Sequence, residues 1–359
     1  MHRIINEGSI QLKIPKAEKI SKEMGVFYNP IMGLNRDISI LLLNSLNKKN
    51  MQICDLLAAS GVRSIRFLKE LNKNKIKKII INDYDKKSIR LIKYNLKLND
   101  IHSKNDKKII IRNKDANFLL LSSAGFDYID IDPFGTPNPF LDAACKRIAR
   151  NGILAVTATD TSALCGTFPK VCLRKYWAIP KKNALMHETG LRILIRKIQL
   201  IGAQYEKALV PIFSYSKEHY MRVFFRNEKG KNNADNVIRL HGFFNDAGPM
   251  WLGKLFDKKL SRSIYESALR NKIFKSNKEL LNFLHIIKEE SKINSVGFYD
   301  ISDICSKYKI KIIPKKFKII EKIRKLGYGA SETHFKGEGL RSNIPINTLI
   351  NIIKQHKNK

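Results

Sequence analysis

Cysteine, acidic residues and long apolar runs are all scarce in this sequence. The chain has 359 residues but only five cysteines, and no two of them form the C-x-x-C pair that binds zinc or cycles between redox states. No apolar run approaches the roughly 18 residues that a membrane span needs, and the first residues lack the apolar core of a signal peptide. We therefore expect a soluble, cytoplasmic protein with free thiols and no membrane association.

The shortage of acidic residues leaves a large positive charge. Lysine and arginine total 67 against 32 aspartates and glutamates, which gives a net charge of +35. Such a charge attracts polyanions, of which nucleic acid is the commonest. Lysine, isoleucine and asparagine are also abundant throughout, as a biased coding sequence would produce, so the charge alone favours RNA only weakly.

Short apolar runs alternate with helical patterns between residues 51 and 226, which indicates an α/β fold with helices on both faces of a parallel sheet. The length allows about two domains. The predicted strands are residues 51–57, 76–81, 108–111, 126–131 and 152–157, with a hairpin at 207–215 and 219–225. The predicted helices are residues 62–71, 85–98, 138–149 and 188–201.

A stretch rich in lysine, asparagine and glycine at residues 227–236 is typical of a linker or an exposed loop. We place a domain boundary there, with one domain at 1–230 and a smaller, basic α+β domain at 231–359. Helical patterns at 261–268, 278–290 and 317–326 fall in the second part.

Three predicted strand ends carry residues suited to a nucleoside. Asp55-Leu56-Leu57-Ala58-Ala59-Ser60-Gly61 has small side chains where the backbone must approach a ligand closely. Asp83 ends the next strand, about 20 residues on, where a carboxylate meets ribose hydroxyls, and Asp115-Ala116 follows the third strand and could meet an adenine. The absence of a G-x-G-x-x-G phosphate loop favours S-adenosyl-L-methionine over a dinucleotide, although a tight turn and a solvated acid are the simpler interpretations.

Asp132-Pro133-Phe134-Gly135 ends the fourth predicted strand. An exocyclic amine of a base is a weak nucleophile because its lone pair is delocalised into the ring. A carboxylate that holds its N–H and takes the proton can contribute about 10²–10⁴-fold, and Phe134 can stack on the base. The pattern therefore favours a methyltransferase acting on a base amine, with a plain Asp-Pro turn as the alternative.

Aromatic and basic residues precede the first strand of the sheet. Phe27-Tyr28-Asn29-Pro30 offers aromatic faces, although such a pair is more often part of a core. Arg36, with Arg63 or Arg66, could bind the methionine carboxylate in a bidentate way.

At these residues the chain resembles the tRNA guanine-N2 dimethyltransferase family, whose members methylate the guanine at tRNA position 26 twice. The resemblance extends over most of the length. It rests on the motifs named above and on the residues beside them. Gly25-Val26 precedes the Phe27 motif, which is accompanied by Asn35-Arg36-Asp37-Ile38. Val62-Arg63-Ser64-Ile65-Arg66-Phe67 follows the Asp55 motif, and Asp130-Ile131 precedes the Asp132 motif. Further blocks are Thr159-Asp160, His187-Glu188-Thr189-Gly190-Leu191-Arg192, Gly248-Pro249-Met250-Trp251, Gly327-Tyr328 and Thr333-His334-Phe335.

The resemblance implies a fold, a cofactor and a set of roles. The fold would be a class I, Rossmann-like methyltransferase sheet, the cofactor S-adenosyl-L-methionine and the partner tRNA. Separately from the resemblance, we expect a monomer. Asp132 would act on guanine N2, with Phe27 and Phe134 flanking the flipped base. Contacts to the cofactor would come from Arg36, Arg66, Asp83, Asp115 and Ala116.

The chain departs from the family in two places. Many members carry a four-cysteine zinc module, whereas residues 225–251 here contain no cysteine and only His241, so we expect no zinc. Glu332 stands where a basic residue is expected. Two other functions remain open: a related enzyme, such as an N2-guanine methyltransferase for another tRNA position or an N6-adenine enzyme, and a nucleic-acid binding module with a vestigial sheet.

Overall fold

A computed structural model describes residues 2–15, 26–102, 106–310 and 314–355. Gly25, which begins one of the motif blocks, lies outside these ranges. Among the described residues, no helix is both long and apolar enough to cross a membrane.

The first part of the described chain alternates strands and helices. Its elements are β1 (His2–Glu7), β2 (Ile10–Pro15), a 3-10 turn (Pro30–Met32), α1 (Gly33–Ser45), β3 (Met51–Asp55), α2 (Val62–Glu70), β4 (Ile76–Asn82), α3 (Lys86–Leu98), β5 (Ile109–Arg112), α4 (Ala116–Leu121), β6 (Phe126–Ile131), α5 (Asn138–Arg147) and β7 (Ile148–Ala158). The next are α6 (Thr161–Leu164), α7 (Pro169–Tyr176), α8 (Met186–Ala203), β8 (Lys207–Lys217), β9 (Tyr220–Lys229), α9 (Lys231–Ile238), β10 (His241–Phe244) and β11 (Ala247–Trp251).

The remaining elements are mostly helical. They are α10 (Lys258–Arg270), α11 (Lys278–Glu290), β12 (Tyr299–Asp300), α12 (Ile301–Lys307), α13 (Lys316–Lys325), β13 (Ala330–Glu332), β14 (Gly339–Ser342) and α14 (Ile346–Gln355).

Seven strands form the main sheet in the order β5-β4-β3-β6-β7-β9-β8. The first five are parallel, and β9 runs antiparallel to both β7 and β8. The chain leaves β3 towards β4 on one side and later returns to place β6 on the other. Ligands of such sheets bind at the carboxyl ends of the strands where the order reverses, so the fold itself places a crevice at the ends of β3 and β6.

The predicted strands and helices of the sheet are confirmed, with ends that differ by a few residues. The parallel strands are buried on both faces, as Ile79, Ile80 and Ile81 show with exposed fractions of 9 % or less, and such strands appear in sequence as short continuous apolar runs. The hairpin of β8 and β9 and the helices α8, α10, α11 and α13 are also confirmed.

The predicted linker at residues 227–236 is wrong. Strand β9 continues to Lys229, and α9 begins at Lys231. Ala234 and Val237, three residues apart, bury one side of α9, which a composition rich in polar residues concealed. Gly230, with φ of 142°, makes the turn between them.

The hydrophobic core does not end at residue 230. One cluster includes Leu12, the main sheet and residues as far along the chain as Phe335. A second, smaller cluster is built from α12, α13, β13, β14 and α14. The division of the chain at residue 230 stays a prediction.

Candidate active site

An open crevice lies at the carboxyl ends of β3 and β6. The loop after β3 forms one wall with Ala58, Ala59 and Ser60. Ala59 (φ 47°) and Gly61 (φ 79°) both have left-handed backbone conformations, and a Cβ on Gly61 would lie 3.1 Å from Ile92. The loop is thus a tight turn with small side chains, which leaves space for a ligand against the backbone.

Asp132 follows β6 directly and reaches the crevice from the opposite wall. The guanidinium of Arg63, on α2, donates to its Oδ2. The side chain of Arg63 is 5 % exposed and that of Asp132 is 21 % exposed. Asp132 therefore lines the crevice and is paired with the buried guanidinium of Arg63.

Arg63 is itself held in a single position. Its Nη1 donates to Ser39 Oγ at 3.0 Å and to Asn35 Oδ1 at 3.3 Å, both on α1. Its Nε lies 3.4 Å from Asp130 Oδ1. These partners fix the guanidinium plane and, through it, Asp132.

A buried ion pair supports the floor of the crevice. Arg222 on β9 donates to both carboxylate oxygens of Asp130, at 3.0 and 2.7 Å. Tyr128 also donates to Asp130, at 2.5 Å. Burial by itself would raise the pKa of Asp130, but the two guanidiniums of Arg222 and Arg63 lower it. Asp130 is therefore a buried carboxylate that stays charged.

Asp55, at the end of β3, has a different environment. It is 3 % exposed and accepts a hydrogen bond from Ser64 Oγ at 2.7 Å. Burial raises its pKa to about 7, against the opposing effect of Arg63. Its protonation therefore changes near neutral pH, next to the loop that lines the crevice.

Phe27 and Phe134 both line the crevice and contact each other edge to face. Their ring centroids are 4.1 Å apart and the ring planes meet at 75°. Stacking a base between two rings needs about 7 Å, because each stacked contact takes about 3.5 Å. The rings must therefore separate before a base can lie between them.

Arg36 lines the crevice but is already paired. It donates to both carboxylate oxygens of Glu7, on β1, at 2.6 Å each. Tyr28 donates to the same carboxylate at 2.7 Å. Arg36 can present to a ligand only the N–H groups that Glu7 leaves open.

Arg66 lies behind this pair. Its side chain is fully buried, and it bonds Glu70 at 2.8 Å, Asp37 at 2.7 Å and Glu7 at 3.1 Å. Among the described residues, Arg66 is not part of the crevice lining. Its position indicates a role in holding Glu7 and α1, and the predicted contact to a cofactor finds no support in this geometry.

Asp83, Asp115 and Ala116 lie at the same edge of the sheet, beyond the lining itself. Asp83 Oδ2 accepts from the N–H of Ala59 at 2.8 Å and so fastens the loop after β3. Burial raises its pKa. Asp115 caps α4 by accepting from Phe118 N–H at 2.9 Å, and Ala116 is buried beside it.

The structure thus brings four of the predicted site residues together around the crevice and places three more at the adjoining strand ends. The four are Phe27, Arg36, Asp132 and Phe134. Sequence reasoning did not single out Asp130 or Arg222. An arginine inside the apolar run of β9, Tyr220–Lys229, was the signal that could have revealed the buried pair.

Outside the crevice, three motif blocks meet in a second buried ion cluster. Arg341 on β14 donates to Glu188 Oε2 at 2.6 Å and to Glu290 Oε1 at 2.7 Å. Arg192 bonds Glu188 at 2.8 Å and the carbonyl of Trp251 at 2.9 Å. The cluster therefore links α8, β11, α11 and β14. None of its residues named here lines the crevice.

Other residues that the sequence analysis named also have hydrogen-bond or ion-pair partners. Thr333 and His334 both bond Glu290, which lies at the end of α11. Glu332, the departure from the family pattern, forms an ion pair with Lys316 at 2.8 Å. His241 Nε2 lies 2.8 Å from Gln199 Oε1.

The sheet order, the small-residue loop and the crevice at the reversal define a class I methyltransferase fold. A family model described as N2,N2-dimethylguanosine tRNA methyltransferase matches residues 8–246 and 240–354. The chain belongs to this family.

Individual relatives match along nearly their whole length. The tRNA (guanine(26)-N(2)/guanine(27)-N(2))-dimethyltransferase of Aquifex aeolicus is 38 % identical, over 95 % of this chain and 93 % of its own. The tRNA (guanine(26)-N(2))-dimethyltransferase of Methanobrevibacter smithii is 37 % identical, over 98 % and 97 %. The structure of Trm1 from Pyrococcus horikoshii in complex with S-adenosyl-L-methionine superposes with a TM-score of 0.89 at 34 % identity, covering 98 % of this chain and all of that one.

Proposed function

We propose that this chain transfers methyl groups from S-adenosyl-L-methionine to the exocyclic N2 of the guanine at position 26 of tRNA, giving first N2-methylguanine and then N2,N2-dimethylguanine. Family membership supports the reaction class. The observation that carries the proposal is Asp132, a carboxylate held by Arg63 in a crevice between the small-residue loop and two phenylalanine rings.

The crevice fits the proposed cofactor. The small side chains of Ala58, Ala59 and Ser60 leave room for a nucleoside against the loop. Arg36 offers the methionine carboxylate the N–H groups that Glu7 leaves open, while Asp83, Asp115 and Ala116 stand at the strand ends for the ribose and the adenine. When bound, the cofactor supplies a methyl group on a positively charged sulfonium. We assign Arg66 a supporting role, because its side chain is buried among carboxylates.

Asp132 makes the guanine amine reactive. Its carboxylate accepts the N–H of the exocyclic amine, which turns the nitrogen lone pair out of conjugation with the ring, and it receives the proton as the nitrogen is methylated. Arg63 occupies one side of the carboxylate and keeps the other free to face the crevice. The same carboxylate serves the second transfer, provided that the pocket admits the methylated amine.

Phe27 and Phe134 receive the base. The target guanine must leave its stack in the tRNA, which costs a few kcal/mol. The two rings part to accept it, and stacking on each face of the base returns roughly 1–3 kcal/mol per ring.

The proposal also covers the partner, the compartment and the oligomeric state. The net charge of +35 suits a tRNA partner, and we propose that the chain acts in the cytoplasm as a monomer, with residues 231–359 as a tRNA-binding unit. Light scattering with and without tRNA tests the stoichiometry. The relative from Aquifex aeolicus, named for guanines 26 and 27, makes position 27 a second candidate target.

The decisive test is methyl transfer to unmodified tRNA transcripts, followed by digestion, identification of the modified nucleoside and mapping of its position. Asp132→Ala should lower turnover by at least 100-fold, in line with the loss of about 10²–10⁴-fold of general-base assistance, while cofactor and tRNA still bind. Asp127→Ala, on the same strand but paired with Lys48 at the far end, is the matched control. Turnover near wild type in Asp132→Ala would remove Asp132 from the mechanism, and N6-methyladenine as the product would overturn the proposed function.

A further inference from the structure

A basic and aromatic surface lies beside the crevice on α7. The 27 residues from 161 to 187 contain no aspartate or glutamate and include five lysines and arginines. Lys170, Leu173 and Arg174 follow the spacing i, i+3, i+4, which places them on one side of the helix, and Trp177 directly follows its last residue. All four are exposed, whereas Cys172 and Tyr176 on the opposite side are buried.

We call this side, with the flanking residues Phe168, Trp177 and Lys182, the α7 surface. Leu173 and Phe168 are 52 % and 55 % exposed. In the described part of the chain, the ion pairs of residues 161–187 are made by Lys175 with Asp160 and by Lys181 with Asp246. The cations of the α7 surface are separate from these pairs and are available to an external anion.

Helix α7, through residues outside the α7 surface, is joined to the loop that carries Asp132. Tyr176 donates from its hydroxyl to Thr136 Oγ1 at 3.0 Å, and Asn138 donates to the carbonyl of Lys175 at 2.8 Å. Thr136 follows Asp132-Pro133-Phe134-Gly135 directly. An RNA that inserts a base next to Phe134 therefore passes close to α7.

Trp177 is fixed in an exposed position. It ends α7 with φ of 58°, a conformation that non-glycine residues seldom adopt. Arg196 donates to its carbonyl at 3.2 Å, and the ammonium of Lys197 lies 2.8 Å from the ring centroid. One face of the indole is thus covered by a buried cation, while 46 % of the side chain stays exposed. An anchored, half-exposed indole is suited to stacking on a base.

We propose that the α7 surface binds the tRNA next to the target guanine, with Lys170, Arg174 and Lys182 on phosphates and Trp177 stacked on an unpaired base. The inference rests on the proposed function. Charge complementarity argues for RNA, because a protein partner of the apolar residues alone would not account for a surface with cations and no acids. Phosphate contacts of this kind make binding salt-dependent.

The test compares two triple variants with the same change of charge. Lys170→Gln/Arg174→Gln/Lys182→Gln removes the cations of the α7 surface. Lys49→Gln/Lys73→Gln/Lys107→Gln removes three exposed lysines that precede β3, β4 and β5, at the opposite edge of the sheet. We expect the first to raise the Kd for tRNA at least tenfold and to reduce the salt dependence by about 0.7–0.9 for each phosphate that the variant no longer neutralises. The second triple variant should change the Kd for tRNA and its salt dependence by less than twofold.

Tryptophan fluorescence gives an independent measure. The chain has two tryptophans, and Trp251 is only 4 % exposed, so quenching by tRNA reports mainly on Trp177. We expect quenching in the wild type, its loss in Trp177→Leu, and a Kd for tRNA raised roughly tenfold by that variant.

The outcomes separate the two proposals. Failure of the wild type to methylate tRNA would contradict the proposed function. If the wild type is active but both triple variants bind tRNA alike, or if the α7 variants alter only the oligomeric state, the α7 surface is not an RNA site. Unchanged cofactor affinity and melting temperature in each variant confirm that the fold is intact.

Discussion

Asp132 carries the proposed chemistry, and Arg63 determines where it points. The guanidinium is bonded to α1 through Ser39 and Asn35, so its orientation is set before any ligand binds. A lysine could retain the charge but could not reproduce the fork of N–H groups that reaches α1 and Asp132 together. Arg63 is thus a positioning residue that acts through Asp132.

Arg63→Lys should therefore impair the chemical step more than binding. We expect kcat to fall roughly 10–100-fold, since small displacements of a catalytic group can cost about 10²-fold, while the KM for tRNA changes little. Single-turnover methyl transfer measures the step directly. Arg90→Lys, on the exposed side of α3, is the control, and an unchanged kcat in Arg63→Lys would contradict the positioning role.

The sequence predicted the residues of the crevice better than those beneath it. Asp132 and Phe134 follow a strand directly, and Phe27 and Arg36 belong to a distinctive motif, so local pattern was sufficient. The Asp130–Arg222 pair joins residues 92 positions apart and depends on β9 lying antiparallel against β7. The ion-pair partners of Arg66 could not be predicted from its motif, because Glu7 and Asp37 come from elsewhere in the chain.

Among the elements, those of the alternating α/β pattern and the helices α10, α11 and α13 were predictable, whereas α1 and the hairpin of β1 and β2 were not. Helix α1 contains the run Ile38 to Leu43, apolar except for Ser39, which carries no helical period because the helix is buried on several sides. The hairpin of β1 and β2 consists of two six-residue strands, and its place against α2 and α3 is set by tertiary contacts. Its last residue before the turn, Glu7, connects it to the crevice.

Glu7 makes the attachment of this hairpin sensitive to acid. Burial opposes its ionisation, but Arg36 and Arg66 outweigh burial and lower the pKa to about 2. A carboxylate with a lowered pKa stabilises the fold fully above its unfolded value near 4.5, and this stability is lost as the pH falls towards 2. The contribution is on the order of 3 kcal/mol.

Glu7→Gln should remove that contribution. Denaturant unfolding at pH 7 should show a lower free energy of unfolding than the wild type, and the difference should shrink between about pH 5 and pH 2. Glu228→Gln, on β9 and away from Arg36 and Arg66, controls for the loss of one charge. A difference that stays constant over this pH range would show that Glu7 does not stabilise the fold through its charge.

At the scale of the whole molecule, the Arg341 cluster joins the two hydrophobic cores. Arg341 lies on β14, whose Leu340 belongs to the smaller core, and it bonds Glu188 on α8, 153 residues away. Its second partner, Glu290, ends α11 and holds His334 and Thr333. Three motif blocks of the family resemblance thereby meet in a buried joint, which only the tertiary structure could reveal.

Arg341→Met should loosen this joint without affecting the crevice. It leaves Glu188 and Glu290 buried with fewer positive partners, a change that typically costs about 3–5 kcal/mol, and Arg192 can compensate only for Glu188. We expect earlier proteolytic cleavage between residues 291 and 345 and a higher KM for tRNA, with cofactor affinity unchanged because the crevice is remote from the joint. Arg270→Met, exposed on α10, controls for the loss of one arginine. A wild-type proteolysis pattern in Arg341→Met would mean that the ion pairs of Arg341 do not hold the two cores together.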